Sequence, residues 1–289
     1  MPGSGGLVGA ERHPHPLGAV LYDCAVRTHL WVAAAVTSLA GFAAHQLEYT
    51  PSLAALGVVC FSTLLIYNLD TAIDLKSARS VRSVRSAWGE FEARQKRALS
   101  LALFALVAVL ALLTTLHWTT ATLVAAGAAV CCLYAVPLGS RGYRMKALPG
   151  AKSFVVGSAV AIAVVFVPLV ERGGAWPAQC WPTLALIATL TLVNATLFDV
   201  RDLEHDRAFG VRTLPVILGQ KTTRFVLGLS ATASLGALAT LEPRLRQSAW
   251  LLLGTLLPLI AWLGPRSPKS AYAWLVDGAL FLPWLLSLR

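Results

Sequence analysis

Six of the fourteen acidic residues in this 289-residue chain fall in two short windows, Asp70/Asp74 and Asp199/Asp202/Glu204/Asp206. Each window closes an apolar run. Asp70 and Asp74 are four apart, so on a helix both carboxylates share one face, one turn from each other. Asp199, Asp202 and Asp206 follow at steps of three and four and make a second such stripe. Carboxylates are costly beside hydrocarbon, and like charges this close repel unless protons or metal ions neutralise them. A divalent cation is the simplest neutraliser, and hard Asp oxygens suit magnesium. Magnesium usually binds through one or two carboxylates together with phosphate oxygens, so a polyphosphate is the natural ligand, clamped by nearby Lys and Arg. A single Asp-x-x-x-Asp pair at a helix end is ordinarily a solvated cap. Two pairs, each followed by basic residues, call for a shared chemistry.

The elements that must position these groups are set by composition. Hydrophobic residues make up 56% of the chain and charged residues 13%, with a mean hydropathy of +0.66. Soluble proteins carry about 25% charged residues, so this is an integral membrane protein. Nine apolar stretches lie near 29–45, 52–69, 98–116, 119–137, 152–170, 182–198, 223–241, 248–264 and 271–288. They are long and lack polar alternation, which predicts helices and excludes a β-barrel. The expected fold is therefore all-α, a bundle of nine transmembrane helices. Residues 1–18 carry no apolar secretory core and are expected to be a disordered cytoplasmic tail, with one membrane domain over 19–289.

Basic residues fix the orientation. With nine spans, twenty Lys and Arg fall on the side of the N-terminus and both acidic windows, and four on the other. The positive-inside rule makes the first side cytoplasmic. It also explains the net charge of +10 without nucleic acid. Both halves of the chain repeat one pattern, an apolar helix, an acidic cluster and a basic loop, which predicts two clusters facing one cavity. Arg79, Arg82 and Arg85 are three apart. They read as an anchor on anionic lipid, or as arginines reaching a diphosphate.

Asp277 lies inside the last apolar stretch, where a carboxylate either serves the substrate or bonds a neighbouring helix. Asp23 and Arg27 suit a local ion pair. His29, His45 and His117 stand at span ends without metal-ligand spacing, and His205 is offset from the carboxylate stripe. Trp31, Trp88, Trp118, Trp176 and Trp181 read as interfacial anchors. The five cysteines show no disulfide or metal spacing and read as small apolar side chains.

The stretch Asp199-Val-Arg-Asp-Leu-Glu-His-Asp-Arg-Ala-Phe-Gly-Val-Arg-Thr-Leu-Pro-Val216 resembles the second aspartate-rich motif of the UbiA superfamily of intramembrane prenyltransferases. Tyr67-Asn-Leu-Asp-Thr-Ala-Ile-Asp74 is similar to the first. Tyr134-Ala-Val-Pro137, followed by Arg141, Arg144, Lys146 and Lys152, resembles the family's basic loop between its fourth and fifth helices. The first motif departs from the family: Ile66 stands four before Asp70, where the family has Asn, Asn68 comes two residues later, and the Asp expected beside that Asn is absent.

The resemblance implies nine helices under a cytoplasmic cap, over a central apolar cavity. It implies that Asp70, Asp74, Asp199, Asp202 and Asp206 hold Mg2+ and, through it, the diphosphate of an isoprenyl donor. Arg144, Lys146, Lys152 and Arg201 would take the diphosphate, with Tyr67 and Asn68 near the donor; Asp277, on its intramembrane position alone, is a further candidate for substrate contact. The bundle would exclude water from an allylic cation, and a small hydrophobic or aromatic acceptor would attack it. The expected location is a bacterial plasma membrane. Two other readings stay open: a terpene cyclase on the same scaffold, needing no acceptor, and a non-catalytic transporter or lipid-binding bundle, against which the assembled acidic charge argues.

Overall fold

The computed structural model describes residues 22–79, 88–135 and 148–288, without the side chains of residues 22, 23, 74, 76–79, 88–91, 132, 134 and 135. The described chain is helical. A π-helical turn, Tyr22–Val26, leads into α1 (Leu30–Gln46), followed by α2 (Leu53–Arg79), α3 (Trp88–Leu113) and α4 (Trp118–Ala135). Then come α5 (Ala151–Arg172), α6 (Cys180–Arg201), the short α7 (Leu203–Ala208) and α8 (Leu214–Leu218), α9 (Gln220–Leu241) and α10 (Arg246–Trp262). The C-terminal run is broken into Lys269–Ala271, a π-helical turn Tyr272–Val276, a 3-10 turn Gly278–Phe281 and Leu282–Ser287.

Among the described residues, five helical segments are long and apolar enough to cross a membrane: Leu53–Ile73, Glu92–Leu113, Ala151–Arg172, Cys180–Arg201 and Gln220–Leu241. The other apolar stretches fall on shorter or interrupted helices. The outward face of α3 bears Leu103, Phe104, Val107 and Leu110, each more than half exposed. In a chain of this hydropathy that face meets lipid, where helices satisfy the backbone internally.

Helices consecutive in sequence pack as antiparallel pairs, α2 on α3, α5 on α6 and α9 on α10, while α1 lies against α2, α5 and the C-terminal run. Lipid is as apolar as leucine, so close packing rather than water exclusion holds such helices together. Small residues supply it. Ala33, Ala35, Ala40, Ala43 and Ala44 of α1 are fully buried. A Cβ on Gly157 of α5 would come within 3.0 Å of the Leu192 backbone in α6, so only glycine permits this approach.

The central helix is α6. Leu186, Ile187, Leu190 and Leu197 are fully buried, and an α-helix apolar on every side belongs in the interior. It also carries buried polar groups, Thr191, Asn194 and Asp199, toward the end where the second acidic window begins. Trp31, expected as an interfacial anchor, packs inward instead: its indole donates to the Ala273 carbonyl at 2.9 Å, and its ring contacts Trp274 and Phe281. Trp118, Trp176 and Trp181 are exposed, as an anchor requires. Trp88 lies at the start of α3, its side chain outside the described residues. Cys24, Cys60 and Cys180 are free thiols; Cys180 is buried, whereas Cys24 is exposed.

Candidate active site

The second acidic window is built by a helix end, a break and a reversal. The Asp202 N–H donates to the Phe198 carbonyl at 3.0 Å, closing α6, and the Asp206 N–H donates to the Asp202 carbonyl at 2.8 Å, opening α7. Gly210, in the left-handed region at φ 69°, turns the chain back, and the Val211 N–H returns to the Asp206 carbonyl at 2.8 Å. Gly150, also at φ 69°, starts α5 and donates its N–H to the Arg212 carbonyl at 2.9 Å. Glycine reaches this conformation without steric cost, whereas a β-carbon would be strained. That bond pins the first turn of α5, with Lys152 and Ser153, beside the acidic window.

Two groups of charges result. The Lys152 Nζ lies 3.1 Å from Asp199 Oδ1, and 3.1 and 3.0 Å from Asp206 Oδ1 and Oδ2. The Ser153 hydroxyl donates to Asp199 Oδ2. Both carboxylates are buried, at 1% and 3% exposure, which makes their pairing a necessity rather than an ornament. Asp202 faces elsewhere. Arg201 Nε and Nη2 each donate to it at 2.8 Å, the bidentate geometry that a guanidinium is shaped for. Burial works against the Asp202 charge, but the Arg201 bonds outweigh it and hold its carboxyl below the ordinary value. For Asp206 burial wins, and its carboxyl is pushed up despite Lys152.

Below this end, Arg201 rests on the Phe198 ring at 4.6 Å and beside the Tyr272 ring at 5.8 Å. Asn194 Nδ2 donates to Asp277 Oδ1 at 3.1 Å, so the intramembrane carboxylate of the C-terminal run is bonded to α6. Asn194, Phe198 and Arg201 are spaced to share one face of α6. The side-chain bond of Asp277 thus ties the C-terminal run to α6.

The first window sits on α2. Asp70 is exposed, and Asp74 follows one turn on, its side chain outside the described residues. Asn68 is buried at 1%, and its amide donates to the Thr28 carbonyl at 3.1 Å and the Leu64 carbonyl at 2.9 Å. It ties the start of α1 to α2. His29 Nε2 and Thr71 Oγ1, 3.0 Å apart, add a second tie, and the His29 ring lies 5.6 Å from Tyr67. Arg144 and Lys146, with Arg82, Arg85 and Arg141, lie outside the described residues.

Among the described residues, no three His, Cys, Asp or Glu side chains converge as a metal centre. The donor set nonetheless suits a hard cation: Asp199, Asp202 and Asp206 offer carboxylate oxygens at one helix end, now balanced by Lys152 and Arg201. Three side chains of this site escape a reading of motifs. Ser153 is unremarkable beside Lys152, and Asn194 shows only as an amide within an apolar run. His29 shows only as a histidine at a span end; its place beside Tyr67 and Thr71 depends on how α1 meets α2.

Fold and site together define a helical membrane protein with an acidic and basic cluster at one end of its central helices. Residues 69–282 match the UbiA prenyltransferase family, and the chain belongs to it. A UbiA homologue from Archaeoglobus fulgidus, solved bound to GPP and Mg2+, shares the fold with a TM-score of 0.62 at 13% identity, over 91% of this chain and 98% of that one. The apo structure of a UbiA homologue from Aeropyrum pernix K1 gives 0.63 at 16% identity, over 90% and 97%. Digeranylgeranylglyceryl phosphate synthase of Natronomonas pharaonis is 32% identical over 98 residues, a stretch covering 32% of this chain and 35% of that enzyme.

Proposed function

We propose that this protein transfers an isoprenyl group from an allylic isoprenyl diphosphate to a small hydrophobic, commonly aromatic, acceptor within the membrane. The observation that carries the reading is the convergence of Asp199, Asp206 and Lys152 within 3.1 Å at the end of the central helix of a UbiA-family chain. Family relatives solved with GPP and Mg2+, and with DMAPP and Mg2+, support an isoprenyl diphosphate as donor.

In this reading Asp70, Asp74, Asp199, Asp202 and Asp206 hold magnesium. Bound there, magnesium neutralises the diphosphate and makes it a better leaving group. Lys152 and Arg201, with Arg144 and Lys146 from the basic loop, supply positive charge where the departing diphosphate gains negative charge. Tyr67, Asn68 and Asp277 border the donor and acceptor, and the apolar bundle keeps water from the allylic cation. The membrane domain covers 19–289 after a short tail. It has nine spans under a cytoplasmic cap, an orientation its basic loops support, and its alanine- and arginine-rich usage fits a bacterial plasma membrane.

The departure at Ile66 favours one second reading. With Asn68 bonded to the Thr28 and Leu64 carbonyls, the first motif presents neither the Asn nor the adjacent Asp of the family pattern. A cyclase, in which the donor's own double bond quenches the cation, requires no acceptor site. Acceptor dependence separates the two. The test of the shared chemistry is magnesium-dependent diphosphate release in Asp70→Ala and Asp202→Ala. Both variants are expected to lose it, and full activity in both would sink the proposal.

A further inference from the structure

The carboxylates gathered by α6 and α7 already hold a cation of the protein's own. An ammonium has three N–H donors. Three carboxylate oxygens surround that of Lys152: Asp199 Oδ1 at 3.1 Å, Asp206 Oδ1 at 3.1 Å and Asp206 Oδ2 at 3.0 Å. The fourth oxygen of the pair, Asp199 Oδ2, accepts from Ser153. Every oxygen of both buried carboxylates is thus engaged by the first turn of α5. A metal ion that binds these oxygens competes with the ammonium for their charge and lone pairs.

We infer that Lys152 is a positioning residue that sets the order of binding, admitting the divalent cation tightly only in company with a diphosphate. This rests on the functional reading above and adds to it a competition between Lys152 and the metal. An ammonium driven off two buried carboxylates by metal alone loses three charge-assisted bonds in a poorly solvated place. When a diphosphate arrives with the metal, its oxygens receive the displaced ammonium and the exchange is balanced. Metal and diphosphate are then positively coupled, each raising the affinity for the other by the same factor. Asp202 repeats the arrangement more weakly, since Arg201 fills both its oxygens but the pair is partly exposed.

The sign of the consequence is distinctive. Were Lys152 only a diphosphate ligand, its removal would leave the affinity for metal alone unchanged. As a competitor, its removal leaves two carboxylates facing each other without a counter-ion, and metal alone binds more tightly.

The experiment is equilibrium dialysis of Mn2+ against the purified full-length protein, with and without inorganic pyrophosphate, corrected for manganese bound by free pyrophosphate. In the wild type, pyrophosphate is expected to tighten manganese binding about tenfold, within the usual span for coupled sites. Lys152→Met and Lys152→Gln are each expected to bind manganese alone about tenfold more tightly than the wild type and to lose most of the coupling. Lys152→Arg, which keeps the cation, should stay weak. Equal manganese affinity in the wild type with and without pyrophosphate overturns the inference without touching the metal site. So does unchanged or weaker binding of manganese alone in both neutral variants. No manganese binding by the wild type even with pyrophosphate present overturns the metal site itself, and the inference with it.

Discussion

The Thr191 hydroxyl donates to the Gly157 carbonyl at 2.8 Å, fastening α5 to α6 two turns below Asp199. The same glycine lets the Leu192 backbone approach to the 3.0 Å at which a β-carbon would clash. One contact thus sets the distance between the helix that carries Lys152 and the helix that carries Asp199. Gly157→Val should lower stability by about 1–3 kcal/mol through overpacking and reduce turnover as Lys152 and Asp199 are pushed apart. Gly236→Ala is the control, because a β-carbon there meets nothing within 4 Å and φ is ordinary. Its thermal midpoint should hold or rise, since alanine in a helix is favoured over glycine by about 0.5–1 kcal/mol. Thermal unfolding in detergent, read beside turnover, checks both.

Asp277 and Asn194 supply a second test. Asp277→Ala strands the Asn194 amide, and leaving a buried donor unpaired costs about 1–3 kcal/mol. Asp277→Asn keeps the shape and one acceptor oxygen for Asn194 but removes the ionisable carboxyl. If Asp277 serves the substrate, Asp277→Asn unfolds near the wild-type temperature while its turnover falls. Turnover at the wild-type level in folded Asp277→Asn would assign the residue to helix packing alone.

Arg201 is bound to Asp202 through a planar fork that lysine does not reproduce. Arg201→Lys should therefore raise the KM for the donor diphosphate and lower kcat, even though the charge is kept. Steady-state kinetics at saturating magnesium measure both. Wild-type constants would show that the bidentate pair is dispensable.

Much of this was legible in the residues. Apolar length predicted helices, and steps of three and four predicted that Asp199 and Asp206 would share a neighbourhood; they do so through Lys152, although the helix is broken between them at Asp202. Lys152 was picked out from the basic loop, but its bond to both carboxylates was not, since it depends on the Gly150–Arg212 hydrogen bond between segments sixty residues apart. Asp202 followed the expected stripe in sequence and left it in space, because α6 ends there and the next bond begins α7. Asn68 read as a donor contact by resemblance, while its amide bonds the Thr28 and Leu64 carbonyls. Trp31 read as an anchor on position alone; which way it faces depends on how the C-terminal run packs on α1.

The central claim is transfer from an isoprenyl diphosphate, and diphosphate release by the purified protein tests it most directly. Geranyl, farnesyl and geranylgeranyl diphosphates would each be supplied with magnesium, with and without a panel of aromatic acceptors, and the lipid products weighed by mass spectrometry. The account predicts release that needs both magnesium and an acceptor, giving a product of donor and acceptor mass joined. Release without any acceptor, giving a hydrocarbon or terpene alcohol, would contradict transfer and make the protein a cyclase.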